Sequence, residues 1–185
     1  MFVSVLTGSV VALALISQAA HFGANFLVVA TMILSVDLVL GILTITRLVA
    51  INQEDVRWTM GMNRLRHRYL ELHPDLTPYF ITGWHDDQAG LAASLGWQVI
   101  ERRGLARVTH GSTSVPGMLG LLVSVIAGVV AGLIAIYAQL SLGAILLLAL
   151  AALVVTAWTL AVYARRAFAR FMAATPPAFP HRAEG

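Results

Sequence analysis

The chain predicts an all-α polytopic membrane protein. Four transmembrane helices are expected, as two antiparallel hairpins joined by a cytoplasmic segment. Three observations carry this. First, 58% of residues are hydrophobic and only 11% charged, with mean hydropathy +0.80; soluble domains average about 25% charged residues. Second, four apolar runs, 2–20, 26–47, 117–139 and 142–164, each approach the roughly 20 helical residues that a hydrocarbon core of about 30 Å requires. Third, all twelve basic residues are Arg, and none lies in either short connection between paired runs. The positive-inside rule then places the middle segment and both termini in the cytoplasm, under a plasma (inner) membrane. The exclusive use of Arg suggests a GC-rich, bacterial genome. The expected divisions are hairpin 1–50, cytoplasmic segment 51–116, hairpin 117–166 and cytoplasmic tail 167–185.

The first run has small residues at four-residue spacing, Ser4, Gly8 and Ala12. No basic stretch precedes it and it is long for a signal core, so it reads as a span. His21–Asn25 turns the chain back.

The second run holds Asp37 near its middle and ends at Arg47. A charge at that depth costs several kcal/mol, so Asp37 must face protein or water, or be protonated. Its helical face includes Ile33, Gly41, Thr44 and Leu48. Arg47, about 15 Å along the helix, is too far to pair with it. Asp37, Gly41 and Thr44 are therefore candidate ion-pathway residues.

Residues 52–73 read as an amphipathic helix, which either continues from the second run into the cytoplasm or lies on the membrane surface with its Arg residues at the headgroups. Trp58, Met62, Leu65, Tyr69 and Leu72 form its apolar side; Arg57, Gly61, Arg64, Arg68 and Glu71 form the other. Asn52 is the expected N-cap, with Glu54 and Asp55 in the first turn, and Pro74 ends the helix. An extended link follows to Phe80. His85, Asp86 and Asp87 are weak candidates for metal ligands, because adjacent residues rarely converge on one ion and no ligand spacing supports them. The preferred reading is an Asp capping a short helix, 87–95, ended by Gly96. Residues 97–110 suggest a small β-hairpin or irregular extended pieces, and 111–116 a linker.

The third run places Gly120, Ser124, Gly128 and Gly132 at four-residue spacing, the small-xxx-small pattern of membrane helix packing. These residues, with Ser4 and Gly8, are the candidate packing interface within or between subunits. The fourth run is rich in Leu and Ala and reads as lipid-facing, with Trp158 and Tyr163 toward the inner interface. Arg47, Arg57, Arg64, Arg68, Arg165 and Arg166 are candidates for contact with anionic headgroups. The tail, with Pro176, Pro177 and Pro180, is expected to be loosely draped.

These features narrow the function. The chain has no cysteine, which excludes disulfides and thiolate chemistry. No nucleophile elbow, P-loop or dinucleotide motif is present, so no enzyme activity, cofactor or resident metal is expected. Acids interleave with the Arg residues of the middle segment, which argues against nucleic acid as a partner. The candidate partners are the bilayer, further copies of the chain and another protein. Two functions fit: a homo-oligomeric ion-conducting or ion-translocating protein with Asp37 at mid-membrane, or an accessory or scaffold protein docking a partner through the middle segment or the Gly/Ala faces.

Overall fold

A computed structural model describes residues 1–20, 23–96 and 115–181, and all regular structure among them is helical. The helices are α1 (Phe2–Ala20), α2 (Ala24–Leu72), a 3₁₀ turn (Pro74–Tyr79), α3 (Gln88–Ser94), α4 (Val115–Tyr137) and α5 (Leu142–Ala174). The expected β-hairpin at 97–110 and most of the linker after it lie outside the described residues. Two compact units form. One comprises Met1–Leu48 and Val108–Ala164; the other comprises Val49–Arg107 and Arg165–Gly185.

Among the described residues, three helices, α2, α4 and α5, are long and apolar enough to cross a membrane. α1 is apolar too, but shorter.

α2 corrects one expectation. It runs unbroken for 49 residues, about 70 Å of helical rise, so Asn52 is an interior position and caps nothing. No Gly or Pro falls between Gly41 and Gly61 to interrupt it, and Asn52 is exposed, so its side chain does not compete with the helix for a buried bond. The helix stops at Leu72, just ahead of Pro74, as the sequence predicts.

In the first unit, α2 buries Ala30, Leu34, Asp37, Gly41 and Ile45, spaced three or four apart along one stripe. Gly41 allows a close approach there. A Cβ on it would fall 2.5 Å from Val123 Cγ2 and 2.9 Å from Phe2 Cζ. α4 buries Val123, Ser124, Ile126, Ala127 and Val130. Of its expected small-residue face, Gly128 and Gly132 pack on α5: a Cβ at Gly128 would lie 2.9 Å from the Ala149 carbonyl oxygen. Ser124 is buried and donates to the Gly120 carbonyl of its own helix at 2.7 Å. Gly120 and Gly8 have no neighbour in reach, and Ser4 is exposed. The inward stripe of α1 is instead Phe2 and Leu6. No residue in the apolar stretch of α5 is buried, so that helix offers its flanks to whatever surrounds the protein.

The α4–α5 connection is tight. Gln139 takes φ +55°, its N–H donates to Ile136 O at 2.9 Å, and the Leu140 N–H returns to Ala135 O at 3.2 Å. Ser141 Oγ then accepts from Ala144 N at 3.4 Å and opens α5.

The second unit has its own apolar core. Val56 and Met60 of α2, Leu91 of α3 and Phe171 of α5 form it, with Leu95, Phe168 and Met172 packed beside them. Asp87 caps α3 through Gly90 N at 2.9 Å, as expected from the sequence.

Candidate functional site

The first unit places one acid where water is scarce. Asp37 is 2% exposed. Its Oδ1 accepts from Ser9 Oγ of α1 at 3.2 Å. Its Oδ2 is buried and has no hydrogen-bond partner among the described residues. A buried carboxyl with one weak donor is costly unless a proton, a water or a small cation completes it. Asp37 thus faces protein, as its position demanded.

The residues expected beside it are partly elsewhere. Gly41 is one turn on along the same stripe, but the side chains of Val123 and Phe2 fill the space over it. Thr44 turns its hydroxyl back onto its own helix, to Leu40 O at 2.7 Å, and does not join Asp37. The partner that sequence reasoning missed is Ser9. It lies seven residues from Phe2 and three from Leu6 on the inward stripe of α1, a spacing that marks it once that stripe is known. A groove of about 450 Å³ in this unit is lined by Leu27, Val28, Thr31, Met32, Ser35, Val36, Ile134 and Tyr137 and does not include Asp37.

The second unit gathers the remaining candidates. Asp86 is fully buried. Its carboxylate accepts from Ala178 N and Phe179 N, each at 2.7 Å, and from Arg64 Nε at 2.6 Å. Burial pushes its pKa up, but the two backbone N–H groups and the Arg64 guanidinium outweigh that and hold it below the ordinary 3.8. Burial likewise raises Asp87, and the N–H groups of Gly90 and His181 with the His181 ring bring it below 3.8. The His181 ring Nδ1 lies 2.9 Å from Asp87 Oδ1, and Arg64 Nη2 donates to Pro176 O at 3.0 Å.

The tail is therefore a strap pinned by two carboxylates through residue 181, and not the loose drape expected of a proline-rich end. Two rings close over it: His67 stacks on Phe179 at 4.4 Å, and His85 lies 5.3 Å from His67 and 3.9 Å from His181. Gly90 admits this geometry, because a Cβ there would collide with the His85 carbonyl oxygen.

His85, Asp86 and Asp87 do not converge on a common point. Their carboxylates are spent on N–H groups and on Arg64, and among the described residues no group of three His, Asp or Glu is arranged to hold a metal ion. The arginines of the α2 extension, the part of the helix from Val49 to Leu72, find partners within this unit. Arg57 sits 5.8 Å over the Phe171 ring, Arg66 donates to Asn63 Oδ1 at 2.8 Å, and Arg68 donates to Glu71 at 2.7 Å. Arg47, Arg165 and Arg166 are exposed.

Chemically, the first unit offers an incomplete carboxyl site and the second a latch. Comparison with known proteins finds no matching family, no matching curated protein and no matching solved structure.

Proposed function

We propose that the protein is a homo-oligomeric integral membrane protein that translocates protons or a small cation through a site at Asp37. In this reading α1, α2, α4 and α5 all cross a plasma (inner) membrane, and the second unit and both termini are cytoplasmic. It involves no catalysis and no cofactor. The observation that carries it is the buried Asp37 Oδ2, which has no hydrogen-bond partner among the described residues, while Oδ1 accepts from the Ser9 hydroxyl. A carboxyl used only for packing would gain from a second bond, whereas one that exchanges a proton or ion needs an oxygen left open.

The test is flux into vesicles reconstituted with the full chain. Wild type should dissipate an imposed proton or cation gradient. Asp37→Asn, similar in shape but unable to exchange a proton or carry the charge, should cut that flux at least tenfold while thermal stability stays near wild type. Ser9→Ala should slow it severalfold. Wild-type flux equal to that of empty vesicles, or full flux in Asp37→Asn, overturns the proposal.

The second reading is a non-catalytic scaffold that docks a partner. Supporting it are the unfilled faces at Ser4, Gly8 and Gly120 and the exposed apolar side of the α2 extension. It predicts a stoichiometric foreign protein retained in mild detergent.

A further inference from the structure

The α2 extension buries the side of the helix opposite to the one its hydrophobicity favours. Val56, Met60 and Asn63 face inward. Trp58, Met62, Leu65, Tyr69 and Leu72 are 70%, 50%, 57%, 55% and 58% exposed. They recur at intervals of four, three, four and three residues, the 3.5-residue repeat of a coiled-coil seam. Written as heptads, they take the d, a, d, a and d positions, and the buried Val56, Met60 and Asn63 take b and f. The helix is held on one side and carries a narrow apolar seam on the other.

We infer that this seam pairs with the same seam of a second copy, in parallel, as a short two-stranded coiled coil. Three observations favour that occupant. A strict a/d stripe is narrower than the apolar face of a helix lying on a bilayer. Two of the arginines that would anchor such a helix to headgroups are turned into the unit instead, Arg64 on the buried Asp86 and Arg66 on the buried Asn63. The area also suffices. Five half-exposed side chains, two of them aromatic, remove about 500 Å² per copy when buried, roughly 1,000 Å² for the pair, where specific interfaces begin.

Copies inserted in one membrane share one sense, so their seams run parallel and meet in an isologous pair. Gly61 at a g position has no neighbour within reach and lets the second helix come close. Two heptads are weak in free solution, but confinement to one bilayer raises their effective concentration. The inference rests on membrane insertion and not on ion movement through Asp37.

The chain has no cysteine, which makes the test direct. Single-cysteine variants of the full chain are oxidised in vesicles. Met62→Cys and Leu65→Cys should form disulfide-linked dimers, and Glu71→Cys, off the seam, at least tenfold less. Adding Tyr69→Glu to Met62→Cys should cut its dimer yield tenfold or more. A shallow nitroxide lipid should leave a fluorophore at position 62 unquenched. No cross-link at either seam position, equal cross-linking at position 71, or quenching by the lipid probe overturns the inference. The last result assigns the seam to the membrane surface. Because cross-linking is read apart from flux, loss of one leaves the other standing.

Discussion

Asn63 is the residue on which the second unit turns. It is fully buried and spends both ends of its amide. Nδ2 donates to His85 O at 2.7 Å and, more weakly, to Gly90 O at 3.4 Å. Oδ1 accepts from Arg66 Nη1 at 2.8 Å and from Ser94 Oγ at 2.9 Å. It thus fastens α2 to the 83–94 stretch that presents Asp86 and Asp87 to the tail. Truncation leaves a buried carbonyl without its main donor, at a cost of about 1–3 kcal/mol per unsatisfied group. Asn63→Ala should therefore destabilise the second unit by about 3 kcal/mol in denaturant melts, whereas Glu54→Ala, at an exposed position of the same helix, should change it by less than about 0.5 kcal/mol. Equal effects of the two would show that the amide network is not what holds the unit. Asp37 stood out in the sequence because an acid in an apolar run is conspicuous. Asn63 did not, since a polar residue among polar neighbours carries no such mark.

Among the helices, the α4–α5 connection stores measurable strain. Gln139 has a side chain in the left-handed region, which costs an L-residue about 1–2 kcal/mol and glycine almost nothing. Gln139→Gly should stabilise the first unit by about 1 kcal/mol, provided the turn keeps its Leu140-to-Ala135 bond; thermal unfolding in detergent reads this. A lower melting temperature would count against the turn. The long helix α2 teaches a different point. The sequence marked the apolar stripe from Trp58 to Leu72, but the face it assigned to Asp37, with Ile33, Gly41, Thr44 and Leu48, shares only Asp37 and Gly41 with the buried stripe of Ala30, Leu34, Asp37, Gly41 and Ile45. Continuity of the two stretches was one of two alternatives the sequence left open, because Asn52 with Glu54 and Asp55 imitates a helix start. Local capping signals mark where a helix is able to begin, but only the absence of a breaker decides that it continues.

Across the whole chain, the tail closes onto the middle segment over a separation of 92 residues, from Ala178 to Asp86. Both strap carboxyls lie below their ordinary value when folded, so ionisation favours the docked state. That contribution is complete above about pH 4 and is lost as pH falls through the folded values. Hydrogen exchange at Ala178 and Phe179, corrected for the intrinsic rate, should show constant protection by these carboxylates at pH above about 5 and loss well below 4. Asp86→Asn should expose both amides at neutral pH. Protection that survives full protonation of the acids would mean that the rings of His67, His85 and His181 hold the strap without them.

Hydropathy and spacing marked the apolar helices, the stop before Pro74, the Asp87 cap and the isolation of Asp37, because each depends on residues near one another in the chain. Which side of α2 faces inward beyond residue 48 was not readable in the same way. Hydrophobicity alone selects the Trp58-to-Leu72 side. The structure buries the side bearing Asn63 and His67, since that is where His85, Ser94 and Phe179, distant in sequence, supply the matching bonds and rings. Burial is set by the partners that folding brings, and those partners come from stretches whose own patterns give no hint of the pairing.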